Sequence, residues 1–383
     1  MKTVAAIFFM LLAAFAATTV TEQQLREAQS DSAAWLTYGK NYAGWRYSEL
    51  SEINTSSVSR LAPRWIYQTG QDGSHETTPL VFGGMMFVTG PSNHADALDL
   101  LTGKQIWHYH KTPPSPLSLC CGQPNRGFAA LGSRLYKVNI DATLVALDAL
   151  SGTVLWEKPI DDYRKGFTAT AAPIILKDKV VVGIAGAEFG TRSFIDAYDS
   201  STGERVWRFY TVAAKGEPGG DTWDGDSWQR GGGSTWITGT YDPELNLIYW
   251  GTGNPGPGMD GSVRAGDNLY TCSLVAIDAE RSSTITTRPT CSALACGPTS
   301  ANSAASSAAS SSASEMRWRS FERDRRDAGR SSRITRSRIA LATSWRSRCS
   351  LCRYAAMIGS DSAASATAQG CARLIARLPA RPR

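Results

Sequence analysis

The chain has 383 residues and a formal net charge of +6, enough length for one large or two ordinary domains with a sizeable core. The charge is unevenly divided, because residues 281–383 carry 18 Arg, no Lys and five acids, whereas residues 1–280 carry 22 basic and 29 acidic residues. An evenly basic protein is therefore excluded, and the two parts answer to different constraints.

In chain order, residues 1–20 hold a single Lys, an apolar run from Val4 to Ala17 and small residues at Ala14 and Ala16, which is the pattern of a secretory signal peptide. The run is shorter than the ~20 apolar residues a membrane span needs, and no later segment resembles one. Helix signals are sparse apart from a short polar stretch from Glu22 to Ala34. Strand-like runs follow: PLVFGGMMFVTG (79–90), GSRLYKVNI (132–140), APIILKDKVVVGIAG (172–186) and NLIYWGTG (246–253).

Three stretches align without gaps, ALDLLTGKQIW from Ala97, ALDALSGTVLW from Ala146 and AYDSSTGERVW from Ala197, and AIDAE from Ala276 begins a fourth that fails where Thr-Gly should follow. Each copy reads as a strand ending in Asp, a Gly-containing turn and a strand ending in Trp, the pattern of a β-hairpin. A period near 50 residues built from hairpins predicts an all-β fold of propeller blades. Trp107, Trp156 and Trp207 are then docking residues that pack each blade on the next.

The stretch LSLCCGQPNRG (117–127) carries chemistry of another kind. Export would place Cys120 and Cys121 in an oxidising compartment, and the residues leave open a bond between these neighbours, two buried thiols, or pairing elsewhere. Arg126 offers a planar fork suited to a carboxylate.

Together with the repeats, CCGQPNRG (120–127), GIAGAEFG (183–190), GGGSTW (231–236), GTGNP (251–255) and RAGDNLYT (264–271) resemble the quinoprotein alcohol dehydrogenases of the methanol/ethanol type, from about Ser32 to Glu280. The resemblance implies an eight-bladed β-propeller, of which about five blades are represented here, binding pyrroloquinoline quinone (PQQ) and a Ca²⁺ or lanthanide ion near its axis. It implies a Cys120–Cys121 disulfide against one face of the quinone and Trp236 against the other, with Arg126 on a carboxylate. Glu76, Thr170, Gly186 and Ala187 match further cofactor contacts, and Glu188 and Asn254 match two metal ligands. Ala185 departs from a common Ser, which removes one hydroxyl. The implied reaction is oxidation of a small primary alcohol to an aldehyde in the periplasm, with a cytochrome c as electron acceptor; RAGDNLYT leans toward the ethanol-type branch.

The chain also departs from that pattern. The family's third metal ligand and catalytic base is an Asp in a W-D-x-D-like segment 20 to 25 residues after the repeat at Ala276, and no such segment follows. No catalytic residue is therefore assigned. SANSAASSAASSSAS (300–314) and RWRSFERDRRDAGRSSR (317–333) resemble GC-rich coding sequence read out of frame, as after a frameshift just past Glu280. CSLC (349–352) lacks a second pair at zinc-like spacing. The expected organisation is a signal at 1–20, a partial quinoprotein propeller at 21–280 and an irregular tail at 281–383. An exported protein is not expected to meet nucleic acid, and no integral membrane segment remains once the signal is removed. An open ring would leave unpaired edges prone to association. The alternative reading is a non-catalytic PQQ-like-repeat propeller acting as an extracytoplasmic scaffold.

Overall fold

The structure is a computed structural model that describes residues 19–280 and the strand at 284–289. The chain divides into two units after Pro298, and every described residue belongs to the first. The expected signal peptide, nearly all of the 281–383 tail and the CSLC spacing lie outside the described residues.

Runs of β-branched and aromatic residues broken by glycine turns produce short strands, and these pair into four antiparallel sheets, each in sequence order. The first contains β1 (Leu80–Phe82), β2 (Met85–Thr89), β3 (Ala95–Asp99) and β4 (Gln105–Tyr109). The second contains β5 (Ala129–Leu131), β6 (Arg134–Asn139), β7 (Thr143–Asp148) and β8 (Val154–Pro159). The third is β9 (Ile174–Leu176), β10 (Lys179–Gly183), β11 (Phe194–Asp199) and β12 (Arg205–Tyr210). The fourth is β13 (Thr240–Asp242), β14 (Leu247–Gly251), β15 (Ser273–Asp278) and β16 (Thr284–Pro289). Middle strand β10 is buried on both faces, so Val180, Val181 and Val182 are all in the core, whereas the outer strand β4 alternates with solvent.

The three full repeats form the β3–β4, β7–β8 and β11–β12 hairpins, and the broken fourth copy forms β15. In every blade the register shifts at the same repeat position, between Ala97 and Leu98, Ala146 and Leu147, Ala197 and Tyr198, and Ala276 and Ile277. A bulge repeated at one place adds the same local twist to each sheet. The fourth sheet continues past Glu280, where the sequence reading ended the propeller, because Thr284–Pro289 pairs with β15 and its run of Thr and Ile suits a strand.

Tryptophan docking links the blades. Trp107 donates its indole N–H to Ala149 O at 2.9 Å and Trp207 donates to Ala279 O at 3.0 Å. Trp156 lies over Gly203, but the corresponding carbonyl, Ser200 O, accepts from the Tyr136 hydroxyl at 3.0 Å, and the Trp156 indole N–H has no hydrogen-bond partner among the described residues. Trp65 is a further docking residue that the repeat pattern did not reveal, since it lies over Gly103 and donates to Leu100 O at 3.1 Å. It stands on no A-x-D hairpin, which is why the motif missed it.

Four blades rather than five are thus formed among the described residues. Residues 19–79, ahead of the first sheet, run as a strap with single bridges from Val20 to Gly132 and from Trp35 to Val81. The strap begins with α1 (Glu22–Arg26), started by a capping box of Thr21 and Gln24. This helix is shorter than the polar stretch to Ala34, because Asp31 Oδ1 accepts from the Ala33 and Ala34 amides and so holds a turn in place of another helical one. Among the described residues no helix is long and apolar enough to cross a membrane.

The repeat glycine is required twice over. Gly152 has φ +71°, and a Cβ there would lie 2.7 Å from the Trp107 ring. Gly84 has φ +74° with nothing within 4 Å of a built Cβ. Gly84→Ala should therefore cost only the left-handed penalty of about 1–2 kcal/mol. Gly152→Ala should cost about 1–3 kcal/mol more for displacing the indole. Urea unfolding of the two variants measures the difference, and equal losses would show that the indole does not press on the turn.

Candidate functional site

Each blade contributes one predicted residue from the segment that enters its first strand: Glu76 before β1, Arg126 before β5, Thr170 before β9 and Trp236 before β13. Backbone hydrogen bonds join these segments in series. Thr78 N donates to Arg126 O at 3.0 Å, Arg126 N to Thr170 O at 3.1 Å, Thr168 and Ala185 exchange bonds at 3.1 and 2.7 Å, Thr235 N reaches Ile184 O at 2.8 Å, and Gly253 N reaches Ser234 O at 2.7 Å. Crossings this close exclude side chains: a Cβ on Gly127 would lie 2.8 Å from Thr78 O.

Arg126 is the centre of the group. Asn125 sets its turn, accepting from Gly127 N at 3.0 Å and donating to Val138 O at 2.8 Å. The Arg126 side chain donates Nη1 to Thr170 Oγ1 at 2.8 Å and pairs through Nη2 with Glu76. Its guanidinium carbon lies 4.9 Å from the centre of the Trp236 ring. All four expected residues are therefore in one contact group. Arg126 is 7 % exposed; burial pulls its guanidinium below the ordinary arginine value, and the Glu76 carboxylate pulls the other way. Thr235, fully buried, anchors the neighbouring indole by accepting from Ile184 N at 2.7 Å and donating to Phe194 O at 2.8 Å. Trp236 itself is 43 % exposed, so an indole face is presented beside a buried cation.

Gly186, Ala187 and Glu188 follow β10, and Asn254 follows β14, at corresponding places in adjacent blades. Gly186 has φ 111° and precedes the single turn Ala187–Phe189. The Asn254 loop rests on the Gly231–Gly233 run, where Gly233 N donates to Asn254 O and Gly256 N to Gly231 O, each at 2.9 Å, and Ala187 O of the first loop approaches Gly256 of the second. Glu188 and Asn254 are exposed, and Asn254 Nδ2 donates to Pro255 O at 3.2 Å. Among the described residues no three His, Cys, Asp or Glu side chains are grouped to hold a metal ion.

Cys120 and Cys121 are bonded to each other, which resolves the alternatives open in the sequence. The disulfide is exposed on the connection between β4 and β5, five residues before Arg126, and takes no part in the ion pair and ring contact around it. Its loop is tied down where Ser92 N donates to Gln123 O at 3.2 Å. Sequence reasoning missed Arg46, which lies 4.1 Å from the centre of the Tyr38 ring and donates to Thr78 Oγ1 at 3.4 Å, beside the first crossing. No repeat or motif marks this stretch of the strap.

The model of the PQQ-marked family described as glucose/ethanol/alcohol dehydrogenase, β-propeller domain, matches residues 35–284. The chain belongs to this family. Among its relatives, the quinoprotein alcohol dehydrogenase PedH of Pseudomonas putida is 36% identical over 289 residues, covering 71% of this chain and 48% of the relative. The lanthanide-dependent methanol dehydrogenase of Methylorubrum extorquens is 41% identical over 258 residues, covering 62% and 43%. Among solved structures, the quinohemoprotein alcohol dehydrogenase ADHIIG of Pseudomonas putida HK5 superposes with a TM-score of 0.67 at 35% identity, over 72% of this chain and 42% of that one. A europium-containing methanol dehydrogenase superposes at 0.66 and 37% identity, over 69% and 50%. The chain thus spans about half or less of the length of each of these quinoprotein relatives, and its four blades are an incomplete propeller of their type.

The Arg126 contact group has a direct stability test. Thr170→Val keeps the shape and removes the hydroxyl that accepts from the guanidinium, and should lower stability by ~1.5 kcal/mol, the low end for a charged hydrogen bond because Thr170 O remains as an acceptor. Thr170→Ser should restore it. Urea midpoints decide, and a Thr170→Val protein as stable as the parent would remove the hydroxyl from the account.

Proposed function

We propose that the described blades are the cofactor-binding part of a periplasmic PQQ- and metal-dependent dehydrogenase that oxidises a small primary alcohol to an aldehyde and passes electrons to a cytochrome c. The observation that carries this reading is the meeting of Glu76, Thr170 and the exposed Trp236 indole, each from a different blade, at the buried Arg126 of a fourth.

The donor set fits the group. A planar tricarboxylate needs fixed positive charge, directed donors and flat apolar walls. Arg126 would take a carboxylate through its guanidinium fork, with Thr170 and Glu76 holding that fork in place. Trp236 would cover one face of the ring, and the exposed Cys120–Cys121 disulfide is the family's counterpart for the other. Gly186 and Ala187 would let the cofactor approach backbone, while Ala185 offers no hydroxyl. Glu188 and Asn254 provide oxygen donors, which suit a hard cation such as Ca²⁺ or a lanthanide. When bound, the quinone would supply the two-electron acceptor for the alcohol's hydride.

The residues of this chain account for binding and orientation but not for proton removal. A carboxylate base near Glu188 and Asn254 would be needed to take the alcohol proton, and the sequence after Glu280 does not supply the expected Asp. The chain should therefore bind the cofactor without turning over alcohol.

Reconstitution tests both halves. Adding PQQ with Ca²⁺ or La³⁺ to the purified chain should give a bound-quinone absorbance and quench Trp fluorescence, with no alcohol-dependent dye reduction. Arg126→Leu should weaken binding about 10- to 100-fold, the worth of a charged hydrogen-bond set. Parent protein that shows no bound quinone at all would end the proposal.

A further inference from the structure

Three of the four histidines in the chain lie on one face of the first blade. The ladder of β3 and β4 sets Asp96 opposite His108, with Ala95 opposite Tyr109, so continuing the register by one residue puts His94 opposite His110. Alternation along a strand places 94 and 96 on one face and 108 and 110 on the same face across the ladder. The side chains meet as this predicts. His94 and His110 are stacked with centres 3.9 Å apart, His94 Nδ1 lies 3.2 Å from His108 Nε2, and His108 Nδ1 lies 2.6 Å from Asp96 Oδ1.

This geometry has the two parts of a metal-ligating histidine pair. Asp96, 1 % exposed and also accepting from Gln105 Nε2 at 2.7 Å, takes the Nδ1 proton of His108 and so leaves Nε2 as a lone pair directed at His94, the carboxylate–histidine arrangement that orients metal ligands. Two nitrogens each about 2.0–2.1 Å from a tetrahedral ion lie about 3.3 Å apart, close to the 3.2 Å found here. Imidazoles without thiolates favour borderline ions such as Zn²⁺, Cu²⁺ and Ni²⁺ over the hard cations that oxygen donors select.

We propose that His94 Nδ1 and His108 Nε2, backed by Asp96, form a binding site for one divalent transition-metal ion, separate from the Glu188 and Asn254 site. Solvent completes the coordination, since no third ligand is already in place among the described residues. His108 is partly exposed, so the ion has a route in. The imidazoles must be neutral to bind. Burial, then the neighbouring His110 and His108, hold His94 below the ordinary histidine value, with Asp96 opposing and the buried Lys137 adding to the effect. Because only a neutral imidazole nitrogen can ligate, binding weakens as pH falls.

The test uses the untagged full chain in excess Ca²⁺, so that the oxygen site does not compete and no cofactor is needed. Titration calorimetry with Zn²⁺ should give one ion per chain. Asp96→Asn should weaken binding about 10- to 100-fold, as loss of such a carboxylate partner does. His94→Gln and His108→Gln should each abolish it, and His75→Gln should leave it unchanged. With Cu²⁺ on the unaltered protein, electron paramagnetic resonance should show coupling to two nitrogens, a readout that survives even if a variant fails to fold. No binding by the parent, a Cu²⁺ spectrum with fewer than two nitrogens, or unchanged affinity in folded His94→Gln or His108→Gln overturns the proposal.

Discussion

The segments that enter the blades are tied to one another by main-chain hydrogen bonds, and the candidate site exists because of that belt. The first three entry segments bond directly, Thr78 to Arg126 and Arg126 to Thr170, and the third is joined to the fourth through Ile184 and Ala185 after β10, with Gly253 after β14 bonding Ser234. A single side chain placed just before a first strand is therefore fixed relative to its counterparts in three other sheets. Glu76, Arg126, Thr170 and Trp236 are separated by 50, 44 and 66 positions yet share one set of contacts. Main-chain bonds of this kind do not depend on side-chain identity except where two backbones cross, and there the demand is for glycine, as at Gly127.

The belt also explains how a buried arginine is tolerated. Removing a guanidinium from water costs several kcal/mol unless its donors are satisfied. Arg126 has the hydroxyl and carbonyl of Thr170 and the carboxylate of Glu76 arranged around it by the segments that enter two other blades. Because burial still holds the group below its ordinary value, a further anion would be favourable there. That is a physical reason for this place, rather than another of the arginines on the surface, to receive a carboxylate ligand. Docking by Trp65, Trp107 and Trp207 acts at the other strand ends and keeps the sheets in the spacing that the belt requires.

Much of this was legible in the chain itself. The A-x-D-x-x-[TS]-G-x-x-x-W repeat located three hairpins because its Gly must take a left-handed turn beneath an indole, and its Asp caps that turn: Asp199 Oδ1 accepts from both amides and both hydroxyls of Ser201 and Thr202. Arg126, Trp236 and Glu188 were visible because each sits in a glycine-rich motif with few conformational alternatives. Trp65 was not, since it lies on the strap ahead of the first sheet and belongs to no hairpin. Arg46 and Tyr38 were hidden because a strap has no period to read. The histidine face was equally silent, because pairing across β3 and β4, not spacing along the chain, brings His94, Asp96, His108 and His110 together.

Amide hydrogen exchange at the belt tests the central claim most directly. If main-chain bonds between blades hold the site together, the amides of Thr78, Arg126, Ala185, Thr235 and Gly253 should exchange slowly and share one dependence on urea, as members of a single cooperative unit. Rapid exchange at Thr78 and Arg126 while Thr235 and Gly253 stay protected would show the first two blades moving independently of the last two, and would contradict the account.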